Sequence, residues 1–79
     1  MIYFATFHTH LAAMLTERAL KGCGIPARMM PVPRRLSSSC GTCVRYEADT
    51  PAVEQMDPDF EAVYRQEPDG AYTLLQQNQ

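Results

Sequence analysis

The chain reads as an α+β domain of ferredoxin-like type, βαββαβ, with an antiparallel sheet and two helices on one face. Three observations predict it. Ile2-Tyr3-Phe4-Ala5-Thr6-Phe7 is rich in aromatic and β-branched residues and nearly continuous in apolar character, as expected of a central strand. His10 to Gly22 is built of good helix formers, with Ala13, Thr16, Ala19, Leu20 and Cys23 recurring at helical spacing. Beyond it the pattern runs strand, strand, short helix, strand.

Each element has a local cause. Thr9 can cap the helix, because a threonine hydroxyl accepts from a backbone N–H of the first turn. Glu17 and Lys21 stand four apart in the order that favours an ion pair. Gly22 or Gly24 ends the helix, with Pro26 beyond. Ala27 to Val32 reads as a second strand that closes or lies at an edge, since Pro31 and Pro33 cannot donate to a ladder. Cys43 to Ala48 alternates apolar and charged residues, which predicts a third strand with one wet face. Thr50-Pro51 is a cap followed by proline at the first helical position. Asp57-Pro58 keeps that second helix short. Phe60 to Arg65 is the fourth strand, Pro68-Asp69-Gly70 a turn, and Ala71 to Leu75 a short fifth strand. One domain therefore occupies residues 1–75, and residues 76–79, Gln-Gln-Asn-Gln, read as a polar tail.

Seventy-nine residues make one small domain with a modest core. A homodimer would add to that core, and an open strand edge would suit one. The net charge of −2 argues against nucleic acid as the main partner, since phosphate contacts need a basic face. Even so, Arg28, Arg34, Arg35 and Arg45, four of the seven basic residues, cluster on the central hairpin. No apolar run is long enough to span a membrane, and Met1 to Phe4 lacks the charged start of a signal peptide. The expected location is the cytoplasm. There a Cys-x-x-Cys pair is more often reactive or metal-binding than a structural staple. No phosphate loop, paired-carboxylate site or Ser/His/Asp arrangement is legible, and no cofactor is expected.

The segment between the second and third strands carries the chemistry. It reads Arg34-Arg35-Leu36-Ser37-Ser38-Ser39-Cys40-Gly41-Thr42-Cys43. Thiolate is the reactive form of cysteine, and nearby cations and N–H donors favour it. Arg34 and Arg35 can supply charge, and Ser37, Ser38 and Ser39 can supply hydroxyls. The amides around Gly41 can form an anion nest. Cys40 is the candidate nucleophile; the bland alternative is an inert cysteine in a tight loop. Cys43 has three readings: it resolves Cys40 as a disulfide, ligates a metal with it, or begins the core side of the third strand. Metal ligation by Cys40 and Cys43 remains the alternative to no metal at all, because no second close-spaced pair exists and Cys23, His8 and His10 are not expected to converge on them. The two histidines are expected at the opposite end of the sheet from Cys40. The acidic stretch from Glu54 to Glu61 reads as solvated surface.

Met29-Met30-Pro31-Val32-Pro33-Arg34-Arg35-Leu36-Ser37-Ser38-Ser39-Cys40-Gly41 closely resembles the signature of a small bacterial family labelled putative Se/S carrier protein-like. Phe7-His8-Thr9, Glu17-Arg18, Gly24-Ile25-Pro26 and Val63-Tyr64-Arg65 are similar too, so the resemblance spans most of Ile2 to Arg65. Cys43 departs from it, falling where the family commonly has another residue. The resemblance implies a carrier, more than a stand-alone enzyme, holding sulfur or selenium on Cys40 as a persulfide or selenide. Proteins that donate and accept the chalcogen would be its partners. The other class of function is a non-catalytic protein-interaction or metal-binding module built on the same loop.

Overall fold

Thr9 opens the helix as its side chain implies. In the computed structural model, which describes residues 1–78, its backbone is extended and its hydroxyl accepts from the Ala12 amide at 3.1 Å. Removing the hydroxyl as Thr9→Ala is expected to cost about 1 kcal/mol in urea denaturation; an unchanged midpoint would show that the cap contributes nothing. The helix α1 (His10–Gly22) follows β1 (Ile2–Phe7). It ends on Gly24, whose φ of 78° suits glycine. There the Gly24 amide donates to the Lys21 carbonyl and the Ile25 amide to that of Leu20, both at 3.0 Å, which closes a Schellman motif.

The remaining strands are β2 (Ala27–Pro31), β3 (Thr42–Glu47), β4 (Phe60–Gln66) and β5 (Tyr72–Gln77). They form one sheet in the order β2-β3-β1-β4-β5, every neighbour antiparallel. β1 is therefore central, as its nearly continuous apolar run suggests. β3 fills the gap that the α1 crossover leaves between β1 and β2. This pairing sets the start of β3 against the end of β1, with Thr6 opposite Cys43. Pro31 sits in the edge strand β2, where a missing N–H costs least. The Met29 amide on that edge donates to Glu17 of α1 at 3.0 Å, which blunts the edge against further pairing.

Alternation along the strands sorts the side chains onto two faces. Toward α1 go Tyr3, Ala5 and Phe7 of β1, Val44 and Tyr46 of β3, and Val63 of β4, meeting Ala12, Ala13 and Leu20 of the helix. Tyr3 and Tyr46 stack with ring centroids 5.3 Å apart. The opposite face holds a smaller cluster, Phe4, Cys43 and Leu36, flanked by Met30, Val32, Tyr64 and Tyr72. Leu36 comes from the β2–β3 connection, which folds back across the sheet.

The α+β class is as the sequence reads, but the second helix is not there. The connection after β3 makes only a 3-10 turn, Val53–Gln55. Ala52 adopts a left-handed φ of 51°, which a helix started at Pro51 cannot contain. The seven-residue space before Pro58 is instead used to plug the core with Ala52 and Met56. Two bonds hold the plug. The Tyr46 hydroxyl donates to the Pro51 carbonyl, and the Asp57 amide donates to the buried Thr16 hydroxyl of α1 at 2.9 Å. One helix and this plug thus cover the face where two helices are expected.

The last strand also differs. β5 runs on through Gln76 and Gln77, and the Asn78 side-chain amide donates to the carbonyls of Pro58 and Phe60, both at 2.9 Å. An edge strand needs only main-chain bonds, so glutamines serve in it although they give no apolar signal. Gln79 of the expected tail lies outside the described residues. No helix among the described residues is long and apolar enough to cross a membrane.

Candidate functional site

The connection from Val32 to Gly41 is shaped by its own residues. The Val32 amide donates to the Gly41 carbonyl at 3.0 Å, extending the β2–β3 ladder by one step. The Leu36 amide donates to the Pro33 carbonyl at 3.0 Å, closing a turn with proline at its first position. That turn lowers Leu36 onto Phe4 and Cys43. Gly41, at φ 75°, then redirects the chain into β3.

Cys40 lies just before this redirection, partly exposed, with its side chain against the helix-side core. Its Sγ stands 3.4 Å from the Thr42 carbonyl oxygen and 3.6 Å from the Ser38 hydroxyl. The Ser38 hydroxyl has one proton, and its closest acceptor is the Phe7 carbonyl at 2.9 Å. Its lone pairs thus face a thiol that can donate to them. Ser38 therefore ties three things together: the end of β1, the loop and the sulfur.

Cys43 does not join that group. Two residues past Gly41, β3 alternation carries it to the other face, where it is fully buried beside Phe4 and under Leu36. Burial, and then the neighbouring Cys40 thiol, push its thiol up to about 11. Of its three readings the packing matches the third, a core residue of the strand. All three cysteines are free thiols. Cys23 is exposed at the C-cap of α1 and is not packed under the helix end as its spacing suggests. Among the described residues no group of three or more His, Cys, Asp or Glu side chains could hold a metal ion.

The arginines also depart from expectation. Arg34 and Arg35 are exposed, and among the described residues neither makes an ion pair or a side-chain hydrogen bond to the loop. The ionisable side chains that do contact the loop are ones the sequence reading sets elsewhere. Glu61, at the start of β4, accepts from the Ser39 amide at 2.9 Å and from the Ser39 hydroxyl at 2.8 Å. His8 Nδ1 lies 3.5 Å from the same carboxylate and 3.5 Å from the Ser39 hydroxyl oxygen. His10 Nδ1 lies 3.5 Å from the Thr42 hydroxyl. Burial disfavours the ionised form of Glu61. The Ser39 amide and hydroxyl, His8 and the Ser38 hydroxyl together outweigh that and hold its carboxyl below the ordinary value.

The histidines are thus at the same end of the sheet as Cys40, not the opposite one. The reason is topological: β3 runs antiparallel to β1, so the residues entering β3 meet those leaving β1. The strand order implied by the crossover already contained that signal. Glu61 gave none, because a carboxylate in an acidic stretch looks the same whether it faces water or a backbone amide. Chemically, the site offers a reachable thiol beside a hydroxyl. It lies in a loop clamped by a carboxylate, with two imidazoles alongside. The Ser39 donors, which could have served a chalcogen anion, are already engaged by Glu61.

Comparison with protein families adds one finding. A family model described as "Putative Se/S carrier protein-like" matches residues 2–65, more than half of the chain. No curated protein and no solved structure matches it.

Proposed function

The chain belongs to the Putative Se/S carrier protein-like family, and from that premise we propose that it carries a sulfur or selenium atom on Cys40 and passes it to a partner. The observation that carries the reading is the placement of Cys40: a partly exposed loop thiol within the family match, with the Ser38 hydroxyl 3.6 Å away. Cys43 is sealed under Leu36 and Cys23 sits at the helix end, so neither competes as a loop-borne acceptor.

The transfer needs no oxidant. The Cys40 thiolate attacks the terminal, sulfane sulfur of a donor persulfide, R–S–SH. The donor's S–S bond breaks, and the departing R–S takes its electron pair and the proton that Cys40 gave up. The new bond is Cys40 S–S, and the outer sulfur keeps its hydrogen. Selenium follows the same course with a selenium atom in the outer position. Delivery repeats the step with an acceptor thiolate attacking the outer atom, which returns Cys40 as a thiol. Because Cys43 is buried, release falls to the acceptor and not to an internal disulfide. Ser37, exposed in the same loop, is the hydroxyl available to the outer atom's charge, since the Ser38 proton is given to the Phe7 carbonyl. Partners are then proteins that handle persulfide or selenide.

The test is uptake from inorganic polysulfide, read by intact mass and by the modified peptide. The wild-type chain is expected to gain sulfur on Cys40. Cys40→Ser is expected to lose that uptake completely, and Cys43→Ala to keep it. No adduct, or an adduct confined to Cys23, would refute the assignment.

A further inference from the structure

The sheet face turned away from α1 concentrates the unpaired positive charge of this chain. Arg28 on β2 and Arg45 on β3 are directly opposite each other in the strand register. Arg28 alternates with Met30 and Arg45 with Cys43, and both of those pack in the cluster on this face. The two arginines line one shallow cleft of about 300 Å³ with Pro26 and Ala27. Like charges placed opposite each other weaken a strand pair. On the same face Arg35 borders a second groove with Tyr64, Tyr72 and Leu74, and Arg34 is exposed next to it in the chain.

The distribution is one-sided. Of the seven basic residues, Lys21 and Arg65 are held in ion pairs. Among the described residues Arg18, Arg28, Arg34, Arg35 and Arg45 are in none. Three of those five, Arg28, Arg35 and Arg45, belong to this face; Arg34 is exposed beside Arg35 in the loop, and Arg18 is on the helix. Most carboxylates lie elsewhere: Glu17 on α1, Glu54, Asp57 and Asp59 on the connection tied to α1, and Glu61 at the Cys40 loop. Glu47 shares the alternation of Arg45 and is exposed, yet pairs with neither arginine. A chain of net charge −2 thus keeps a locally positive surface with apolar residues on the same face, Leu74 at 49% exposure beside Arg35 among them.

We propose that this face docks an acidic, partly apolar segment of the protein that loads or unloads Cys40. The docking stands on the charge layout; only the partner's role rests on the carrier reading. The loop bearing Arg34 and Arg35 ends at Cys40, so a segment lying across the face touches the same loop that holds the thiol. A short acidic segment fits better than a nucleic acid. Screening confines the attraction to the patch, whereas a long polyanion also meets the net negative charge of the rest of the chain.

The test uses the full chain and a fluorescent peptide of alternating Glu and Leu, followed by anisotropy. Its Gln-for-Glu counterpart and a single-stranded oligonucleotide serve as comparison probes. The acidic peptide is expected to bind, and to weaken as salt rises from about 50 to about 200 mM. Arg28→Glu/Arg45→Glu is expected to weaken it about tenfold or more, and Arg18→Glu to leave it unchanged. Cys40→Ser is expected to bind as wild type does. Arg28→Gln/Arg45→Gln, which removes charge without reversing it, is expected to bind at an intermediate level with a thermal midpoint no lower than wild type, since the like-charge pair is relieved. Unfolding of that variant would make the arginines structural and overturn the proposal. So would equal binding of the Gln peptide, tighter binding of the oligonucleotide, or equal weakening by Arg18→Glu. Self-association that vanishes in the Arg28/Arg45 variants, without peptide binding, would overturn it in favour of a second copy of this chain. Peptide binding by a chain that takes up no sulfur would leave the docking standing and remove the carrier role; the reverse result would do the opposite.

Discussion

Leu36→Ala is expected to destabilise the fold by about 2–3 kcal/mol in urea denaturation and to bring Cys43 within reach of thiol reagents. Leu36 is the single loop side chain buried on the face away from the helix, at 9% exposure, and it lies on Phe4 and Cys43. Truncating it removes apolar contact and opens a void that the sheet beneath, being hydrogen-bonded, cannot collapse to fill. A domain of this length is held by roughly 4–12 kcal/mol in all, so the loss is a large share. The thiol result follows from the same geometry. Burial is the main reason that the Cys43 thiol is pushed up to about 11. Admitting water removes that cause, so labelling at mildly alkaline pH should rise from near none to a readily measured rate. A cost below about 1 kcal/mol with Cys43 still silent would mean that the loop does not seal this face.

Glu61→Ala is expected to free the Cys40 loop. The Ser39 amide and hydroxyl both donate to that carboxylate, and the substitution leaves them only water. Bonds to a charged acceptor are the stronger kind. The Glu61 side chain is 23% exposed, however, so the expected cost is about 1–2 kcal/mol. The larger effect is kinetic: alkylation of Cys40 should accelerate and amide exchange at Ser39 should rise, because both report opening of the same segment. The pH dependence has a definite sign. The folded chain holds this carboxyl below its ordinary value, so the stabilisation is complete above the usual glutamate pKa of about 4.3 and is lost as pH falls through the lowered one. Wild-type loop protection should therefore fall at acidic pH, and Glu61→Gln should show no such step. Identical acid profiles for the two chains would remove Glu61 as the clamp.

How much of this the residues announced can be judged from particular cases. The helix from His10 to Gly22, its Thr9 cap and its glycine stop follow from local bonding, and local bonding is what a linear pattern records. The same holds for β1, whose nearly continuous apolar run calls for two covered faces, and for the edge position of β2, which two prolines favour. The second helix failed because capping residues state only where a helix can begin. Here Tyr46 and Thr16 hold the connection at Pro51 and Asp57, and the left-handed Ala52 lies between. The separation of Cys40 from Cys43 is a matter of pleat: three positions look close in a string, yet a redirecting Gly41 followed by strand alternation puts the two side chains in different clusters.

By itself, then, the amino-acid order determined the class of fold, the central strand and the helix with its caps, and it marked Cys40 of the β2–β3 connection as the candidate atom, since each depends on neighbours a few positions away. Only the tertiary structure decided what surrounds that atom. Glu61 on β4 and His8 just beyond β1 reach the loop from places distant in the chain, while Arg34 and Arg35, members of the loop itself, stay in solvent. The physical reason is that hydrogen bonds and charges act over a few ångströms of space, and antiparallel pairing, not proximity in the chain, chooses which residues come that close.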